Sequence, residues 1–305
     1  AMFDAPPGDD VSGDDPSATR LQQTAAEMLG FEAGMFAPSG TQTNLIALMT
    51  HCGRGDEYLV GQEAHTYKYE GGGAAVLGSI QPQPIANQPD GSIALADIEA
   101  YIKPDDMHFA RTRLLALENT IGGRVLSQEY VAAATTLAHD KGLATHLDGA
   151  RICNAAVKQG ISLADAVKGF DTVSVCLSKG LGAPVGSVLL GPKSFIEQGK
   201  RWRKMLGGGM RQAGVIAAAA QYALGHNGAL LANDHDNAAE LAQGLAKIEQ
   251  LKVGMPQTNI FWMDVPAAAC APLRQALERA GIRATVGPKM RLVTHLDISN
   301  ADVKR

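Results

Sequence analysis

The sequence predicts an α/β fold, on three observations. Thirty-four glycines and only 5% aromatic residues suit a chain with many tight strand–helix turns. Short apolar, β-branched runs alternate with Ala-rich helical stretches through most of the chain. Beyond about residue 228 the rhythm changes to a few strand-like runs around one helix.

In order, Arg113–Leu117 reads as a strand and Ser127–Asp140 as a helix. Next come a strand at Leu143–Leu147, a helix near Ile152–Gln159 and a strand at Thr172–Leu177. Val185–Leu190 reads as a further strand and Lys193–Met205 as a helix. Alternation of this kind predicts right-handed crossovers and a mostly parallel sheet. A long helical region follows Arg211, and Ala229–Gln250 is polar and Ala/Leu-rich. IFWMDV, a helix at Ala271–Ala280, IRATV and MRLVTHLDI then make a small α+β unit. A break near Gly225–Asn233 divides the chain into 1–228, a large domain, and 229–305, a small C-terminal one.

Composition excludes several functions. The 305 residues allow two domains at a prior of about 150 residues each. With 46% hydrophobic and 19% charged residues, an ordinary buried core is expected. Net charge is −4 and no basic stripe is visible, which argues against a nucleic-acid partner. The longest apolar run, Ala213 to Leu224, falls short of the roughly 20 residues that span a bilayer. Cys52, Cys153, Cys176 and Cys270 lack the paired spacing of a zinc site or a disulfide framework, so no metal is expected. Free thiols and the lack of a signal peptide suggest a cytoplasmic protein. Both ends look truncated, at AMFDAPPGDD and at DVKR.

The strongest constellation is HLDGAR (His146–Arg151) followed by LSKGLGAP (Leu177–Pro184). Asp148 ends one strand, and Lys179 lies 31 residues later, just past the next. A βαβ unit takes roughly 30 residues, so both side chains should emerge at the same C-terminal sheet edge. That pair suits pyridoxal 5'-phosphate, which needs a Lys for its Schiff base and an Asp for its pyridine nitrogen. Spacing alone leaves open an unrelated α/β protein with a surface Lys and a capping Asp.

Weaker signals surround this pair. In APSGTQTNL, the amides of Gly40 and Thr41 open a helix and can hold a phosphate, although an ordinary N-cap looks the same. His65 follows a short strand and precedes a Gly-rich turn, where an imidazole could stack on a planar ring or serve structure alone. His108, before a strand in DDMHFARTRLL, is ambiguous, while His51, His139, His226, His235 and His146, the last sharing a strand face with Asp148, read as structural. Arg151 and Arg291 are the residue type for a bidentate carboxylate clamp. Arg211, in GGGMRQAG, suits either a mobile lid or a phosphate contact to a neighbouring subunit.

Taken together, GDDVSGDDP, PSGTQTNL, AHTYKYEGGGAAVLGSIQP, PDDMHFARTRL, HLDGARICNA, CLSKGLGAPVGS, RKMLGGGMRQAG and RLVTHLD resemble the low-specificity L-threonine aldolases. These form part of the β-eliminating-lyase-like branch of fold type I pyridoxal-phosphate enzymes, and the resemblance spans about Gly8 to Asp297. It implies a fold type I large domain with a small α+β domain, and retro-aldol cleavage of L-threonine or L-allo-threonine to glycine and an aldehyde. By the same resemblance Lys179 carries the cofactor, Asp148 meets its ring nitrogen, and His65 stacks on the ring and acts as base. His108 sits near the substrate hydroxyl, Gly40 and Thr41 bind phosphate, and Arg211 joins the cofactor contacts. Arg151 and Arg291 hold the substrate carboxylate, Arg151 also lying at the cofactor, in a homotetramer built as a dimer of dimers. Three positions depart from the family: Ser12 replaces a usual Tyr, and Ile121 and Gly122 replace a common His-Asn pair. A β-eliminating lyase or a phenylserine-type aldolase is the alternative, and a catalytically idle cofactor-binding homologue a further one.

Overall fold

A computed structural model describes all 305 residues. The strands of the main sheet are β1 (Ala33–Ala37), β2 (Asp56–Gly61), β3 (Gln81–Ile85), β4 (Arg111–Glu118), β5 (Ala144–Asp148), β6 (Thr172–Cys176) and β7 (Ser187–Gly191). Their order across the sheet is β1-β7-β6-β5-β4-β2-β3. Strands β2 to β6 pair in parallel, as the alternating pattern predicts. Strand β7 does not: it runs antiparallel to both β6 and β1. The segment 177–186 holds no helix that could carry the chain back across the sheet, so it doubles back beside β6.

The helices before the small sheet are α1 (Pro16–Leu29), α2 (Gly40–His51), α3 (His65–Lys68), α4 (Gly73–Val76), α5 (Leu95–Tyr101), α6 (Gln128–Asp140), α7 (Ile152–Gln159), α8 (Leu163–Ala166), α9 (Lys193–Met205) and α10 (Gly214–His226). Helix α1 starts where Asp15 accepts the Ser17 and Ala18 amides at 3.0 and 2.9 Å. The same carboxylate accepts the Gly214 amide at 2.7 Å and so ties α1 to the start of α10.

The period of two along each strand gives the sheet two unlike faces. On one, Leu115, Leu117, Leu147, Val173, Val175, Val188 and Leu190 merge with residues of α1, α6, α7 and α10 into one cluster of 39 buried residues. The other is covered by α2 and α9 and has two smaller apolar clusters, of 11 and 5 residues. Between those two lie His146, Asp148, Thr172, Ser174 and Ser187, each at most 3% exposed. Thr43 of α2 bonds into this seam, 2.6 Å from the Ser174 hydroxyl and 2.9 Å from that of Ser187.

A 3-10 turn at Asn227–Leu230 leads into α11 (Leu231–Leu245). The second sheet has β8 (Lys252–Val253), β9 (Ile260–Asp264) and β10 (Lys289–Val293), all antiparallel, with α12 (Ala267–Arg279) between the last two. A short helix α13 (Asn300–Lys304) follows. IRATV is not a strand: Ile282–Val286 has no ladder partner, and its backbone runs directly into Gly287–Pro288. Only Val286 of that run is buried, in the small apolar cluster with Met263 and Met290. No helix of the chain is long and apolar enough to cross a membrane.

Candidate active site

Parallel strands deliver their last residues to one edge. Glu118 ends β4, Asp148 ends β5, and the two are register partners. Cys176 ends β6, and Lys179 follows in the loop that turns back into β7. Helix α2 points its N-terminus at this edge, with Ser39 as its cap accepting the Gln42 amide at 3.2 Å. The approach is close enough that a Cβ on Gly40 would lie 2.4 Å from Cys176 Sγ, so glycine is required there. Free amides at a helix start, with the helix dipole behind them, suit an anion.

Asp148 is 3% exposed. Its Oδ1 accepts the Ala150 amide at 3.0 Å and its Oδ2 accepts Asn44 Nδ2 at 2.9 Å. Asn44 uses the same nitrogen to reach Glu70 Oε1, also at 2.9 Å. Glu70 in turn lies 2.8 Å from His65 Nδ1, and the His65 amide donates to Glu118 Oε2 at 2.7 Å. One ligand atom each from His65, Glu70 and Asp148 falls within 4.8 Å of the others. The bond to Glu70 raises the His65 imidazole above its ordinary value. Burial raises the Glu70 carboxyl despite its bonds to His65 and Asn44. Burial and the nearby Asp148 carboxylate raise the Glu118 carboxyl well above its ordinary value.

Lys179 also lines a cleft with an arginine. Arg151 precedes α7 and shares with Lys179, Asn259, His295 and Asp297 a cleft of about 400 Å³. Its Nε is buried with no hydrogen-bond partner. Burial and the charge of Arg291 both lower the Arg151 guanidinium. Arg291 stands on β10 in a hollow of about 770 Å³ that shares Val293 with the cleft. Two like charges near each other, one of them with a buried N–H left unanswered, describe a seat for an anion.

Lys179, Asp148, His65, Gly40, Thr41 and Arg151 therefore gather at or beside one sheet edge, with Arg291 adjoining. Two other expected residues do not join them. His108 precedes β4, at the end of that strand remote from Glu118, which an eight-residue strand puts roughly 26 Å away. Its side chain is 70% exposed and bonds Asp106 at 2.6 Å, apart from the cluster within its own chain. Arg211 is 62% exposed and pairs with Asp9 at 2.7 Å. Ser12 is exposed in a turn, away from the cluster.

The departures at Ile121 and Gly122 have a structural use instead. Ile121 is 6% exposed and packs in the large apolar cluster, its Cγ2 filling the space a side chain at Gly91 would take. Gly122 has φ +57 and offers its carbonyl to Trp262 Nε1 at 3.3 Å, which joins the turn to the small sheet. Glu70, Glu118 and Asn44 were missed in the sequence. Glu118 could have been found, as a carboxylate ending the apolar run RTRLLALE.

Residues 1–268 match the family described as "Beta-eliminating lyase". The low specificity L-threonine aldolase of Escherichia coli (strain K12) is 51% identical over 299 residues, 98% of this chain and 90% of that protein. A probable low-specificity L-threonine aldolase of Arabidopsis thaliana is 44% identical, over 100% of this chain and 89% of its own. Among solved structures, a putative L-allo-threonine aldolase from Listeria monocytogenes superposes with a TM-score of 0.84 at 22% identity, covering 99% of this chain and 87% of that one. The threonine aldolase of Leishmania major gives 0.82 at 21% identity, covering 96% and 88%. The last two likenesses bear on the fold, which is that of the fold type I enzymes.

Proposed function

The chain belongs to the beta-eliminating lyase family, and on that premise we propose that it cleaves L-threonine and L-allo-threonine to glycine and an aldehyde, with pyridoxal 5'-phosphate as cofactor. Relatives half-identical along nearly the whole chain bear the name of that activity. The observation that carries the reading is the set of charges gathered near Lys179: a cluster of carboxylates with an imidazole, and two guanidiniums.

The residues fit the cofactor. Asp148 is a buried carboxylate for the ring nitrogen, the α2 amides at Gly40 and Thr41 suit the phosphate, and Lys179 is the amine that would anchor it. When bound, the cofactor supplies a protonated ring that draws electrons out of the Cα–Cβ bond. His65 would lie against that ring. With Nδ1 committed to Glu70, its Nε2 is the atom free to take the β-hydroxyl proton. The Glu70 contact that raises His65 also makes it the stronger base. Arg151, through its unpartnered Nε, and Arg291 would hold the substrate carboxylate and so orient Cα–Cβ.

We further propose a cytoplasmic homo-oligomer, a dimer of dimers. Exposed Tyr69, Val76 and Leu77 next to α3 and α4, and Met205 at the end of α9, support burial against a second copy. The functional test measures glycine and acetaldehyde released from L-threonine, against ammonia and keto acid. Glycine and acetaldehyde in equal amounts are expected. Ammonia and keto acid would make the protein a β-eliminating lyase, and neither product, with cofactor bound, would make it an idle homologue. Borohydride reduction should attach the cofactor to Lys179, and attachment to another lysine would refute that assignment.

A further inference from the structure

The polar face of the main sheet carries a hydrogen-bond chain that the roles above leave unused. From Asp148 it passes to Asn44, whose Oδ1 lies 3.2 Å from His146 Nε2. His146 Nδ1 is 2.9 Å from Thr172 Oγ1, and that oxygen is 2.7 Å from His51 Nε2. The sheet dictates this alignment. His146 stands two residues before Asp148 on one face, and Thr172 is its register partner on β6. His51 closes the chain from the last turn of α2, its ring 4.4 Å from that of Phe195.

Distances alone leave the protons unplaced, but chemistry places them. Asn44 must present its NH2 to Asp148 and Glu70, because a flipped amide would set a carbonyl against two carboxyl groups. Its carbonyl then needs a donor, and the neighbour within reach is His146 Nε2–H. His146 is wholly buried, and burial with the nearby His51 pushes it down to about 3, so the ring holds a single proton. With that proton on Nε2, Nδ1 accepts, and the Thr172 hydroxyl donates to it. A lone pair of the Thr172 oxygen is left for His51 Nε2–H.

We propose that this chain runs one way, from His51 through Thr172, His146 and Asn44 to Asp148, and that His146, as its Nε2–H tautomer, is a positioning residue that aims Asp148 at the cofactor. The aiming role rests on the cofactor reading above; the direction of the chain does not. Without the His146 donor the Asn44 carbonyl loses its partner, and the amide that bonds Asp148 Oδ2 is held only through its NH2 group.

The test is nitrogen-15 NMR of histidine-labelled protein, cofactor-free and after reconstitution with pyridoxal 5'-phosphate. Signals are assigned by their loss in His51→Gln and His146→Gln. His146 should show a protonated Nε2 and a bare Nδ1, unchanged between pH 8 and pH 5. The opposite tautomer, or a doubly protonated ring, would overturn the proposal. Cofactor affinity, read from the absorbance of the bound cofactor, tests the aiming. His146→Phe removes the donor and should weaken binding by about three- to tenfold, while His146→Gln, which keeps an N–H, should stay within about twofold of the parent. Parental affinity in His146→Phe would refute the aiming role. Should that variant not fold, the tautomer in the unaltered protein still decides the direction. A protein with the Nε2–H pattern that binds no cofactor would sink the cofactor reading and the aiming role together. A protein that binds with the Nδ1–H pattern would sink the chain alone.

Discussion

On one side of the main sheet Leu147, Val173 and Val175 lie in a continuous apolar cluster of 39 buried residues, while on the other His146, Asp148, Thr172 and Ser174 separate clusters of 11 and 5. Both sides are built by the same strands, one residue out of step. In β6 the alternation is explicit, Thr-Val-Ser-Val-Cys, polar or small toward α2 and branched apolar toward the opposite helices. The difference separates two tasks. Burial of branched side chains, worth roughly 1.5–3 kcal/mol each, holds the sheet together from one side. Hydrogen bonds of fixed direction on the other hold side chains where chemistry can use them.

Substitutions one residue apart should therefore fail in different ways. The largest effect on rate is expected from Asp148→Asn, which keeps the volume and removes the charge. Turnover of L-threonine should fall about 10²–10³-fold, with the melting temperature within about 2 °C of the parent. Parental turnover would erase the distinction between the faces. Its neighbour Leu147, 0% exposed, should show the reverse. Leu147→Ala should cost about 2–5 kcal/mol in urea unfolding and leave KM for threonine unchanged. A raised KM with full stability would mean that the apolar face shapes the site as well.

Acid provides a finer contrast. Burial lowers His51 to about 4 and His146 to about 3, both well below an ordinary imidazole near 6.5. The unfolded chain therefore binds more protons than the native one between those values. The stability these residues contribute is complete above about pH 6.5 and is lost as pH falls toward 4 and then 3, at up to about 1.4 kcal/mol per pH unit for each. Urea midpoints at pH 7 and pH 5 should differ, and His146→Gln should narrow the difference. Midpoints that do not move with pH would contradict it. The smallest effect is expected at His108, exposed at the far end of β4. His108→Ala should leave kcat/KM for threonine and allo-threonine, and their ratio, within about twofold. A tenfold change in the ratio would bring His108 back to the site.

The same contrast explains what could be read in advance. Helices Ile152–Gln159 and Lys193–Met205 and the core of the parallel strands were legible, because a local run of branched apolar residues is what burial demands. Strand β3 was hidden by Pro82 and Pro84, which an edge strand tolerates because one row of its amides needs no partner. IRATV has strand composition but no neighbour to pair with. At the site, Lys179 and Asp148 were visible through the length of one βαβ unit. Asn44, Glu70 and Glu118 were not, because their roles come from register and from contacts between distant segments. His108 could not be placed from sequence, because proximity to a strand says nothing about which end of that strand the side chain lies at.

The antiparallel turn into β7 carries a consequence for how the protein comes to be competent. Lys179 hangs between Cys176 and Ser187, which pair directly across the β6–β7 ladder, so its mounting is a local structure that closes a short stretch of chain. The bond from Asn44 to Asp148 spans 104 residues. Short loops close in well under a microsecond, whereas contacts this distant in sequence wait on the global search. The anchoring amine is thus presented by a segment that can organise alone, and its carboxylate counterpart is aligned only when helix α2 has docked on the finished sheet. Acquisition of cofactor during refolding should then track completion of the whole large sheet, not the appearance of the lysine's own hairpin.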